Sequence, residues 1–105
     1  MKILITENNL NEFILKYIED YYDWNRITLE EDEDGNEDSR FFYLDSDEYN
    51  ISDIFYYNAE NGSMSIYDKK FSESLTSLFN RRWIPIFKKF IKYKYGINFK
   101  IISLF

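Results

Sequence analysis

The chain has no cysteine and no histidine. Without cysteine there is no disulfide, no thiol nucleophile and no thiolate metal site. A reducing cytosol fits that composition. Without histidine, the commonest general base and the commonest transition-metal ligand are missing. Glycine occurs three times and proline once, too few for a glycine-rich phosphate loop. No serine stands in a nucleophile-elbow pattern. No apolar run approaches the ~20 residues that a membrane-spanning helix needs. After Met1, the opening KILITENN offers one lysine and three apolar residues before it turns polar, which does not fit a signal peptide. These absences lead to the expectation of a non-enzymatic, cytoplasmic protein with no membrane segment, no metal and no cofactor.

What the chain does have is rings. Aromatic residues make up 21% of it and hydrophobic residues 45%, which is enough for a packed core rather than a disordered chain. At 105 residues the expectation is a single domain, residues 1–105.

Charge is unevenly placed. The net charge is -6, but residues 1–60 carry -13 and residues 61–105 carry +7. The stretch 75–105 holds no acid at all, while it holds Arg81, Arg82, Lys88, Lys89, Lys92, Lys94 and Lys100. At the other extreme, nine positions, 30–38, hold seven acids.

Periodicity gives the elements. Leu10, Phe13, Ile14, Tyr17, Ile18 and Tyr21 recur on a 3.6-residue period, which predicts an amphipathic helix over 7–21 capped by Thr6. Lys2 to Ile5 alternates and predicts a short strand. Ile27 and Leu29 alternate with polar residues, and RFFYLD follows at 40–45. The Asp34-Gly35 pair between them is a hairpin signal. ISDIFYY at 51–57 and SMSIYD at 63–68 extend this to a meander of short antiparallel strands. From about Ser72, a helix carrying Leu75, Leu78 and Phe79 is expected, with Asn80 as a reasonable terminator; Ile84 before Pro85 is pushed away from helical geometry, and Pro85 suits the first turn of a new helix. A second helix carries Phe87, Phe90, Ile91 and Tyr95 and stops at Gly96. Residues 97–104 alternate as a terminal strand, central or covered on one face. The expected architecture is α+β: a small antiparallel sheet of four to five strands, packed by an N-terminal helix and a C-terminal helix pair, with a terminal β-strand.

Motifs for chemistry fail on their spacing. A calcium loop with Gly35 at its sixth position would use Glu30, Asp32, Asp34 and Asp38, but its twelfth position is Phe41 rather than glutamate and its flanks read as strands. Asp45, Asp47, Glu48 and Asp53 could pair as acid and base, yet they stand in stretches that read as solvated.

Two surfaces remain. Acids of the hairpin and of the following loop, with exposed aromatics, would suit a protein partner that has a basic surface, in the manner of a nucleic-acid mimic. The candidate residues are Trp24, Asp32, Asp34, Glu37, Asp38, Asp45, Asp47, Glu48 and Tyr49. The alternative is nucleic-acid binding through Arg81, Arg82, Lys88, Lys89 and Lys92. The -6 body repels a polyanion at long range, and those lysines also suit a helix whose stems cover the core. A third reading is a structural subunit of a virion or homo-oligomer, with Tyr56, Tyr57 and Tyr67 at an interface. The sequence does not set the oligomeric state.

The opening MKILITENNLNEFILKYIEDYY and the closing FKKFIKYKYGINFKIISLF resemble the two ends of small uncharacterised proteins of tailed bacteriophages. The resemblance covers about 40 residues and consists of packing patterns. It implies a phage protein acting in the host cytoplasm, as an inhibitor of host nucleic-acid-handling or defence machinery or as a virion part. It assigns no functional residue.

Overall fold

The computed structural model describes residues 7–34, 38–44 and 52–104. The expected strand at Lys2 to Ile5 and the Thr6 cap lie outside them. The fold is α+β, in the order α1 (Glu7–Tyr21), β1 (Ile27–Glu31), β2 (Arg40–Leu44), β3 (Ser52–Asn58), β4 (Ser63–Ile66), α2 (Lys69–Phe79), α3 (Trp83–Tyr95), β5 (Ile101–Leu104).

The 3.6-residue stripe does form α1, which buries Ile14 and Ile18 completely. Phe13, at the margin of the stripe, stays 55% exposed. After α1 the chain turns at Asp23, whose carboxylate accepts the Asn25 amide at 3.2 Å. Trp24 then folds back beneath the helix, and its indole N–H donates to the Ile18 carbonyl at 2.9 Å. That bond satisfies one carbonyl near the end of α1, where intrahelical donors run out.

The sheet runs β1-β2-β3-β4-β5. Strands β1 to β4 form the expected antiparallel meander, but β5 pairs with β4 in parallel. The sheet is therefore mixed. The reason lies in the connection: both C-terminal helices separate β4 from β5, and so long a crossover lets the strand return in the same direction. Nor is β5 central. It forms one edge of the sheet, with Ile101 exposed. Its alternation also changes phase. Phe99 is buried, yet within the strand it is Ile102 and Leu104 that pack inward. The N–H groups of Lys100 and Ile101 share the Gly62 carbonyl, at 2.7 and 3.2 Å, so the chain enters the ladder irregularly. Gly62 has φ +70, a left-handed conformation that suits glycine in this turn.

The C-terminal helices differ from expectation in where each begins. α2 starts at Lys69, where Asp68 caps it by accepting the Phe71 amide. It stops at Asn80, which has φ 55, and a 3-10 turn over Asn80–Arg82 leads into α3. The break is thus at Asn80, the expected terminator, and Pro85 falls in the first turn of α3 as expected. Ile84 lies inside α3. Pro85 is the third residue of α3, where an N–H would have no intrahelical acceptor. The buried Trp83 holds the joint, its indole N–H donating to the Thr76 hydroxyl at 3.0 Å.

All three helices lie on one face of the sheet. Phe71 and Leu75 of α2 and Trp83, Phe87 and Ile91 of α3 join Ile14 and Ile18 in a core with Phe42, Phe55, Met64 and Ile66. Phe55 is one hub, ringed by Tyr22, Trp24, Phe42, Phe71 and Phe87; Phe71 is a second, ringed by Tyr21, Tyr22, Phe55, Trp83 and Phe87.

Candidate functional site

Strand alternation assigns the two faces of the sheet. Ile27, Leu29, Phe42, Leu44, Phe55, Tyr57, Met64 and Ile66 point toward the helices. The positions between them form the other face, which no described element covers. Across β1 and β2, Glu30 stands opposite Phe41 and Thr28 opposite Tyr43.

β3 reaches this face through an irregularity. Phe42 pairs with Phe55 and Tyr43 with Asp53, leaving Ile54 as an extra residue. Ile54 and Phe55, adjacent in sequence, are both buried. The β-bulge thereby rephases the strand, so that Asp53 and Tyr56, three residues apart, share the uncovered face.

The result is a row of rings edged by acids. Phe41 lies 4.6 Å from Tyr56, with the planes inclined by 37°, and 6.0 Å from Tyr43, inclined by 31°. The Tyr56 hydroxyl donates to the Asp32 carboxylate at 2.5 Å. That bond is the main reason the Tyr56 phenol is held above the ordinary tyrosine range, with burial adding to it. The Tyr43 phenol is raised chiefly by burial, then by the charges of Asp53 and Glu30 and by a hydrogen bond to Glu30. Asp53 is raised by burial and by the neighbouring Glu30. One of its carboxylate oxygens, Oδ1, is buried with no hydrogen-bond partner among the described residues. Beside it, burial and Asp53 raise the Tyr67 phenol, and Tyr67 is 40% exposed.

The strand positions on this face include no lysine or arginine among the described residues. Arg40, which pairs with Glu31 at 3.6 Å, alternates to the other side. Chemically, the face offers carboxylate acceptors and ring surface to a cation. Among the described residues, no group of three or more acidic side chains is arranged to hold a metal ion. No described helix is long and apolar enough to cross a membrane.

The candidate residues from the sequence divide accordingly. Asp32 belongs to the face. Asp34 and Asp38 are exposed on the hairpin arms, and the Asp34 amide donates to the Asp32 carboxylate at 3.1 Å. Glu37, Asp45, Asp47, Glu48 and Tyr49 lie outside the described residues. Trp24, expected as an exposed anchor, is only 7% exposed; its rings pack against Phe55 and Phe90, so it belongs to the core. Tyr57, expected at an interface, packs against the core. Asp53, expected in a solvated stretch, is partly buried.

The basic candidates occupy the helix layer, on the other side of the molecule. Arg81 and Arg82 are exposed in the turn before α3, Lys89 and Lys92 are exposed on α3, and Lys88 is partly buried. Phe41, Tyr43, Asp53 and Glu30 were not singled out together by the sequence. The i, i+2 spacing of Phe41 and Tyr43 is the one signal that places rings on a common strand face. The chain matches no protein-family model, no curated protein and no solved structure with which it was compared.

Proposed function

We propose that the protein is a non-enzymatic binding module whose uncovered sheet face docks on a basic surface of a partner protein. The observation that carries this reading is the row Tyr43–Phe41–Tyr56 edged by Glu30, Asp32 and Asp53. Sheet faces that lack a covering layer expose apolar rings to water, and such patches mark interaction surfaces. Aromatic side chains anchor interfaces, while a field of one sign speeds encounter with the opposite sign and excludes like-charged partners. The acidic hairpin arms beside the face add to that field. With the phage resemblance of its two ends, the reading narrows to an inhibitor that covers the basic groove of a host nucleic-acid-handling or defence protein.

The test is a pulldown from host lysate with two surface variants. Asp32→Lys/Asp53→Lys should lose the partner retained by the wild type. Arg81→Glu/Arg82→Glu/Lys89→Glu/Lys92→Glu should keep it. The opposite pattern would transfer function to the basic helix layer and overturn the proposal.

Self-assembly is the second reading, and a separate observation favours it. The helix layer is basic and carries Tyr93 at 94% exposure and Leu78 at 59%, so it complements the acidic face of another copy. Sedimentation across a wide concentration range tests this. A monomer throughout would remove the assembly reading and leave the first intact.

A further inference from the structure

We propose that the uncovered face selects arginine over lysine, so that the partner segment it binds carries an exposed arginine. This rests on the acidic-face reading above and narrows it to one side chain.

The geometry of the rings is the first argument. In the core, ring pairs meet largely edge to face, as do Tyr22 with Trp24 at 87° and Phe42 with Tyr95 at 89°. On the uncovered face the inclinations are 37° and 31°, in the range of the flatter core pairs Tyr22 with Phe71 at 31° and Trp24 with Phe55 at 23°. Tyr56, Phe41 and Tyr43 therefore form a loosely stacked row whose ends are Tyr56 and Tyr43. A planar group can extend such a row by stacking on a terminal ring. Guanidinium is planar, weakly hydrated and stacks readily on aromatic rings. Ammonium is compact and strongly hydrated, and gains mainly charge attraction.

The carboxylates supply the second argument. Each terminal ring lies beside its own acid: Tyr56 donates to Asp32, and the Tyr43 phenol, raised first by burial and Asp53, is raised also by Glu30. A carboxylate has about four acceptor sites; Asp32 accepts the Tyr56 phenol on one oxygen and the Asp34 amide on the other, which leaves a site on each for the paired N–H groups of a guanidinium. Asp32 is already oriented by these two bonds, which lowers the ordering cost of a bidentate contact. Asp53 adds a further negative charge beside Tyr43. Stacking and bidentate pairing are both open to arginine. Lysine can use neither in full.

The experiment titrates the full chain with nona-arginine and with nona-lysine, two probes of equal charge, by calorimetry at about 150 mM salt. Nona-arginine should bind about tenfold more tightly. Tyr43→Leu/Tyr56→Leu keeps apolar bulk and removes both terminal rings; it should bring the two affinities together while leaving nona-lysine binding unchanged. Circular dichroism checks that the variant is folded, and Tyr43→Leu serves in its place if it is not. Equal affinities for the two peptides in the wild type would overturn arginine selection and leave the acidic-face reading standing. A preference that survives loss of both terminal rings would overturn it too. Binding of neither peptide would overturn both, and self-association under the same conditions would then assign the face to a second copy.

Discussion

Tyr22, at the end of α1, donates its hydroxyl to the carboxylate of Asp68, 46 residues further along. The same carboxylate caps α2 through the Phe71 amide. One side chain thus fixes where the second helix begins and ties that start to the first helix. Tyr22→Phe should cost about 1–2 kcal/mol, the scale of a hydrogen bond to a charged acceptor. Asp68→Ala should cost more, about 2–3 kcal/mol, because it removes the cap and strands the Tyr22 hydroxyl together. Urea titrations of both variants check the order. A larger loss for Tyr22→Phe would refute the double role of Asp68.

Alkaline pH should unfold this protein early. Burial, with Asp68 adding to it, holds the Tyr22 phenol above the tyrosine range, and burial pushes Tyr95 up to about 12. In both cases the fold favours the neutral form, so the unfolded chain gives up its proton first. The contribution is complete below the ordinary tyrosine pKa of about 10 and is lost as pH rises above it. Each such phenol can remove up to about 1.4 kcal/mol per pH unit, less where solvent reaches it. The urea midpoint should stay level to about pH 9 and drop by about pH 11. Tyr22→Phe should flatten that drop, and a midpoint unchanged across the interval would contradict the assignment.

Phe55 touches five other rings and is fully buried. Phe55→Ala should cost about 3–5 kcal/mol, a large part of the ~5–15 kcal/mol that holds a typical domain. Phe13→Ala is the control. Phe13 belongs to the same apolar pattern in the sequence but is 55% exposed, so its loss should stay within about 0.5 kcal/mol. Comparable losses at the two positions would mean that Phe55 is not one of the centres of the core.

Asp53 separates stability from binding. Its carboxyl is raised by burial and by Glu30, so the protein is stabilised as pH falls into the range where Asp53 takes up a proton, and loses that contribution as pH rises. Asp53→Asn removes the charge and should stabilise the protein at neutral pH. The gain is held to about 0.5 kcal/mol at most by solvent around a partly exposed group. The same substitution should weaken binding to a basic partner. Thermal melts and calorimetry on one sample test both signs; a variant that gains stability and keeps full affinity would remove Asp53 from the binding face.

What the sequence made legible was local. The stripe from Leu10 to Tyr21 gave α1 its limits, because a solvated helix shows its buried face directly in the spacing of apolar residues. The meander was equally readable, since each strand pairs with its neighbour along the chain. The remainder depends on contacts between distant residues. The parallel partner of β5 is set by how two helices cross the sheet. The bulge at Ile54 depends on Phe42 and Tyr43 of another strand, and without it strict alternation would put Asp53 and Tyr56 on opposite faces. The ring row was therefore hidden. Trp24 misled because a polar context, Asp23 and Asn25, surrounds a side chain that turns under α1.

Every strand pairing but one joins segments linked by a turn or a short connection. The exception, β4 with β5, must wait until the chain from 67 to 100 has formed two helices and crossed the sheet. Closing so long a loop carries a higher entropy cost than forming a hairpin, and non-local pairings of this kind form late. The last strand to arrive is also held from one side only, at an edge. Folding and local opening should follow the same order in reverse, with the amides of Ile102 to Leu104 exchanging with solvent ahead of those in β2 and β3. Equal protection across all five strands would show that the sheet closes and opens as one unit.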